Sequence, residues 1–196
     1  MPSASLFWWM VLIGAAPFYL ANRLNMGKNF EARTPRGLAI RLSETAAVLL
    51  FLATALVWKK DFPLAASAQP ARYLAFLGLV LAAAGLALAG WAKTRLRSYF
   101  SVILGVQKDH ELITRGPYGL ARHPMYTGLL LVILGGALVH NSGAALLLLA
   151  APFCGFFYWQ SAEEEKLFAA RFGEAWRRYQ GRTGRFLPRL MRGDTA

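Results

Sequence analysis

Residues 73–92 form a run of 20 residues without a charge, bounded by Arg72 and Lys93. A helix of that length rises about 30 Å, which matches the hydrocarbon thickness of a bilayer. Within it, Gly78, Ala82, Gly85 and Ala89 recur at spacings of three and four. That spacing gathers four small residues on one face, where the backbone of a neighbouring helix can approach closely. The segment predicts a membrane helix that packs tightly against another helix.

Composition extends the argument to the whole chain. Hydrophobic residues make up 56% of the 196 and charged residues only 16%, too apolar for an ordinary soluble domain. Four further spans can be drawn, at 5–21, 38–58, 126–139 and 144–160. Trp8 and Trp9 stand near the outer end of the first, and Pro17 reads as a tolerated kink. The beginning of the chain lacks the basic region of a cleaved signal peptide, so the first run is expected to stay as a span. The link at 140–143 has four residues, which makes the last two spans an antiparallel hairpin. At 126–139 the fourth span is short for a bilayer, so an earlier start or a thinner membrane is expected there. The expected fold class is an all-α integral membrane protein. It has about five transmembrane helices, a C-terminal helical hairpin and a cytoplasmic amphipathic tail helix. It reads as a single membrane domain, 1–196, with three N-terminal spans over 1–92. A cofactor-binding loop, the hairpin and the tail occupy 93–196.

The net charge of +12 would suit a nucleic-acid partner, but its placement argues otherwise. The segments 22–41, 93–125 and 161–196 hold 19 of the 22 Lys and Arg residues; 59–72 holds the other three and 140–143 none. Basic residues confined to alternate connections are topology signals and anionic-lipid contacts. They put the N-terminus outside and the C-terminus in the cytoplasm, and no nucleic acid is expected as a partner. The single Cys154 excludes an internal disulfide and any multi-Cys metal site, and no metal site is expected. Beyond 161 the tail reads as one amphipathic helix to about Tyr179. Phe168, Phe172, Trp176 and Tyr179 fall at spacings of four, four and three, as in a helix lying on headgroups or closing over a site. Oligomeric state is not readable.

The chemistry concentrates in the run 116–126, GPYGLARHPMY, just before the fourth span, and in Glu163, Glu164 and Glu165 just after the fifth. The hairpin brings these two ends together. One side of the resulting pocket is cationic (Arg122, His123, His110) and the other anionic (Glu164, Glu165), under the rings of Tyr118 and Tyr126. Such a pocket suits a zwitterion: Arg takes a carboxylate bidentately and a ring face takes a sulfonium or ammonium. The bland alternatives are a positive-inside anchor for Arg122 and a solvated helix start for the three Glu. Pro117 and Pro124 set turns.

The order of His110 and Leu112, Gly-Pro-Tyr118, Arg122-His-Pro-x-Tyr126-x-Gly128, Glu164-Glu165, Phe172-Gly173, Tyr179 and Arg182…Pro188 resembles one family. It is the isoprenylcysteine carboxyl methyltransferase and phospholipid methyltransferase superfamily, and the likeness runs from about Leu96 to Pro188. It implies an S-adenosylmethionine-dependent enzyme that methylates a lipophilic or lipid substrate arriving from the membrane. By position, His110 and the Leu112 backbone would contact the cofactor. Gly116, Tyr118, His123, Pro124 and Tyr126 would line it, and Glu164 and Glu165 would face its amino or ribose groups. Arg122 would hold the methionine carboxylate or orient the acceptor, so Arg122 and Glu165 are the expected catalytic pair. Glu165 or His123 would serve as base if the acceptor must lose a proton. The chain departs from the family at Gly119-Leu-Ala121, where larger residues are frequent. A membrane reductase using NADPH shares a related tail, usually as His-Pro-Asn-Tyr where this chain has His123-Pro-Met-Tyr126. A non-enzymatic protein that binds anionic lipid is the alternative from another class.

Overall fold

The computed structural model describes residues 63–65, 67–96, 111–143 and 150–189. The expected spans at 5–21 and 38–58, the start of the fifth span and His110 lie outside the described residues. Among those described the chain is helical, and the only strand-like pairings are two isolated bridges, Pro63 with Ser142 and Ala121 with Gly184.

The first helix, α1 (Ala68–Leu96), contains the whole charge-free run and extends it at both ends to 29 residues, about 43 Å. It is the one described helix long and apolar enough to cross a membrane. Its buried residues are Gly78, Ala82, Gly85, Ala89 and Ala92, the small-residue face expected from the spacing. Tyr73, Phe76, Leu77, Val80 and Trp91 are exposed, and large apolar side chains turned outward from small ones are what a lipid-facing helix presents.

The partner on the small face is α3 (Pro124–Val139), preceded by the single turn α2 (Pro117–Leu120). The helices run antiparallel, with Gly78 against Gly135 and Gly85 against Gly128. A methyl group placed on Gly78 would sit 2.5 Å from the Gly135 carbonyl oxygen, and one on Gly135 equally close to that of Gly78. The two backbones touch, so neither glycine has room for a side chain. Ala82, Val132 and Val139 form the core of this seam, with Leu79 and Leu86 packed on it. Helix α3 starts at Pro124, two residues before the expected start, because Pro at the first helical position loses no hydrogen bond. It ends at Val139, and Asn141, two residues on, adopts φ 53°. The Asn141 side chain accepts from the Ala65 amide at 2.8 Å and donates to the Ala65 carbonyl at 2.9 Å, tying this end to the approach to α1.

Helix α4 (Ala151–Phe172) and α5 (Glu174–Arg182) revise the reading of the tail. The helix does not begin anew after 161; it runs unbroken through Gln160 and Ser161. It breaks at Gly173, whose φ of 51° is available to glycine at no steric cost. Phe168, Phe172, Trp176 and Tyr179 still form one ring cluster across that break, Phe168 lying against both Phe172 and Trp176 and Trp176 against Tyr179 at 5.2–6.1 Å. Trp176 and Tyr179 are buried, so the aromatic face of α5 is spent on the protein. Glu163, Glu164 and Glu165 lie in mid-helix, not in a first turn.

Candidate functional site

The site is built where the chain enters α3. Gly116 precedes α2 with φ 66°, Pro117 opens α2, and Pro124 opens α3. The intervening residues are extended and form a ladder with the far end of the chain. Arg122 N–H donates to the Gly184 carbonyl at 2.8 Å and His123 N–H to the Arg185 carbonyl at 2.9 Å. Thr127 Oγ1 donates to the Phe186 carbonyl at 2.7 Å, and the Tyr179 hydroxyl donates to the Tyr118 carbonyl at 2.6 Å. Residues 183–187 therefore lie as a strap across the start of α3, held by two backbone bonds and by the Thr127 hydroxyl.

Charge fixes the strap more specifically. Glu165 Oε1 accepts from Arg122 Nε at 2.9 Å and Arg185 Nε at 3.1 Å, and His123 Nε2 stands 3.3 Å from it. Its Oε2 accepts from Arg185 Nη2 at 2.8 Å and Gln180 Nε2 at 3.3 Å. Arg122 Nη1 donates in addition to the carbonyls of Gln180 and Thr183. Side chains from three separate segments thus converge on one buried carboxylate, 6% exposed. Burial alone would raise its pKa. Hydrogen bonds from His123, Arg185 and Arg122, with the Arg122 charge, outweigh that and hold it well below the usual carboxylate range.

Glu164 does different work. Its Oε1 accepts from the Tyr126 hydroxyl at 2.5 Å and its Oε2 lies 3.3 Å from His123 Nδ1. His123 therefore faces a carboxylate from each ring nitrogen, an arrangement that only the doubly protonated imidazolium satisfies. Burial disfavours that charge, but the bonds to Glu164 and Glu165 and their charges prevail, so the His123 pKa is raised. The His123, Tyr126 and Phe157 rings stack nearly parallel at 5.6 and 4.8 Å. Arg185 lies 4.7 Å over the Tyr158 ring.

The structure thus brings Arg122, His123, Tyr126, Glu164 and Glu165 together. Tyr118 and Pro124 are buried beside them, and burial pushes the Tyr118 hydroxyl pKa up, helped by the Glu164 charge. Gly116 sits apart, under the Arg95 side chain at the end of α1. Leu112 is half-buried in the coil before α2.

Comparison with known proteins adds to this geometry. The phospholipid methyltransferase family profile matches residues 73–175, just over half of the chain. The chain belongs to that family. It is a membrane methyltransferase. Its fold is similar to that of the eukaryotic intramembrane Ras methyltransferase, isoprenylcysteine carboxyl methyltransferase, with a TM-score of 0.52 at 18% identity. The likeness covers 97% of this chain and 69% of that one. No curated protein matches the chain.

The family match takes in Arg122, His123, Tyr126, Glu164 and Glu165, and ends before Gln180 and Arg185. In this methyltransferase those last two, with Phe157, are the site residues that sequence reasoning missed. Arg185 makes the bidentate bond to Glu165, yet in sequence it is one of eight Lys and Arg residues in a basic tail. The signal available was its place directly after the helix-breaking pair Gly181-Arg-Thr-Gly184, where a topology charge has no need to be.

Proposed function

We propose that the protein uses S-adenosylmethionine to methylate a lipophilic acceptor at the membrane, an isoprenylcysteine carboxylate, a phospholipid amine or a small hydrophobic compound. The observation that carries this reading is the mixed-charge cluster of Arg122, His123, Glu164 and Glu165 walled by stacked aromatic rings. The residues fit the cofactor's chemistry. Glu164, whose side chain is 23% exposed, suits an ammonium or a ribose hydroxyl. The Nη2 group of Arg122 has no partner among the described residues and suits a carboxylate. Bound, the cofactor supplies an electrophilic methyl group.

The protein's part is position and field. Arg122 and Glu165 divide into two roles under this reading. Glu165, with five donors around it and a strongly lowered pKa, is a poor proton acceptor and holds the strap, Arg122 and His123 in place. His123, held as imidazolium, is no base either. A proton leaving an amine or thiol acceptor would go to Glu164, relayed through or beside the Tyr126 hydroxyl; a carboxylate acceptor needs no base. The strap and α5 cover the charged end, so water is kept from it while the acceptor enters from the aromatic side.

The proposed arrangement in the membrane is one domain with about five spans, the N-terminus outside and the site at the cytoplasmic face. The test is incubation of the full chain in nanodiscs with methyl-labelled S-adenosylmethionine and a total lipid extract. Label in an organic-extractable product, lost in Glu164→Gln, is expected. Label that stays with the donor overturns the reading.

A further inference from the structure

Gln160 is 3% exposed, and its buried side-chain oxygen receives no hydrogen bond among the described residues. Buried polar atoms are almost always partnered, and an orphan at a functional site marks the place of a ligand or a water. Nothing in the mechanism above uses this oxygen. Its neighbour Ser161, also fully buried, is already engaged with the Tyr158 carbonyl at 2.9 Å, so it does not supply the missing hydrogen.

The position of Gln160 says what kind of group could. Phe157, Gln160 and Glu164 follow at spacings of three and four and share one face of α4. The Tyr126 ring stacks on Phe157, and its hydroxyl reaches Glu164. Gln160 stands on the turn between those two contacts. Towards Ala151 the helix carries Phe153, Phe156 and Phe157; towards Phe172 it carries the three Glu. On that face Gln160 is therefore the first polar group met from the aromatic side, one turn short of the charged cluster.

We infer that Gln160 is a specificity-determining residue for the methyl acceptor. Its side-chain oxygen receives the hydrogen of an N–H or O–H group at the acceptor's polar end. The inference rests on the methyltransferase reading above. The charged groups suited to an amino-acid moiety lie beyond Gln160, so the group that meets it is the head of the molecule arriving from the apolar side. A head with a donor satisfies the oxygen. A head bearing acceptors alone leaves it orphaned and adds lone-pair repulsion.

The experiment compares phosphatidylethanolamine with phosphatidylcholine, whose headgroup nitrogen bears no hydrogen. Binding of each to the full chain is measured by native mass spectrometry. Affinity for S-adenosylhomocysteine and the thermal midpoint are read on the same samples. Wild type is expected to prefer the ethanolamine lipid by roughly threefold to tenfold, the size of one net hydrogen bond. Gln160→Met is expected to lose that preference with unchanged S-adenosylhomocysteine affinity and a midpoint no lower than wild type, because the orphan oxygen is gone. Gln160→Glu, which keeps an acceptor, is expected to retain the preference. Equal preference in wild type and Gln160→Met, its absence from wild type, its loss in Gln160→Glu or a lowered midpoint in Gln160→Met would overturn the assignment. Failure of the methyltransferase reading shows separately, as wild type that does not bind S-adenosylhomocysteine.

Discussion

Arg122 and Glu165, 43 residues apart in the chain, meet at 2.9 Å with both side chains almost wholly buried. The pair is the point at which the start of α3, the middle of α4 and the returning strap are fixed to one another. An inside anchor would place Arg122 at a water-facing end with its fork free. Instead its Nε and Nη1 are committed to Glu165 and to two carbonyls of the strap.

Arg122→Lys keeps the charge and loses the fork. A single ammonium cannot reach Glu165 and the strap carbonyls with the same geometry. S-adenosylhomocysteine affinity is expected to fall by roughly tenfold to a hundredfold, or about 1.5–3 kcal/mol for a charge-assisted bond, as read by titration calorimetry. Wild-type affinity would leave Arg122 a topology residue.

Glu165→Gln removes the charge that compensates Arg122 and Arg185. Removing one partner of a buried pair strands the other, at a cost of about 3 kcal/mol. The thermal midpoint is expected to drop, with early proteolysis within 183–187 as the strap lifts. An unchanged midpoint with intact strap protection would contradict the role given to Glu165.

The pH dependence follows from the two shifts. Glu165 is held below its ordinary 4.5, so its contribution is present above that value and is lost only as pH falls towards the lowered one. His123 is raised above its ordinary 6.5, so its contribution is complete below 6.5 and is lost as pH rises through the raised value. Stability is therefore expected to be greatest between about pH 5 and 6.5 and to decline on the alkaline side as pH rises through the raised His123 value. In His123→Gln a melting series across pH should lack the alkaline decline; its persistence would assign that limb elsewhere.

How much of this was legible depends on the range of the interaction. The seam of Gly78, Ala82, Gly85 and Ala89 could be read because the helical period writes a packed face into local spacing. Glu164, Glu165 and the run 116–126 stood out as unlike polar groups beside apolar spans. Arg185, Gln180 and Phe157 did not, because their partners lie 15 to 31 residues away or more, and no local pattern records a tertiary contact. The break at Gly173 was hidden for a different reason. Its flanking aromatics keep the helical spacing and pack together across it, so the period continued where the backbone did not.

The glycine seam gives a stability test independent of chemistry. Gly85→Val would drive its side chain into the Gly128 carbonyl and Leu131 and is expected to cost about 1–3 kcal/mol by forcing α1 and α3 apart. Gly155→Ala meets nothing within 4 Å and should be neutral or gain up to about 1 kcal/mol from helix propensity. Thermal melts of both in one detergent decide it; equal midpoints would mean the seam is not tightly packed in solution.

The central claim, a cofactor site formed by 116–126 with Glu164, is tested most directly by titrating the full chain in nanodiscs with S-adenosylhomocysteine, and in parallel with NADPH. The account predicts saturable binding of S-adenosylhomocysteine that is lost in Glu164→Gln, and no binding of NADPH. Binding of NADPH alone, or of neither, would contradict it.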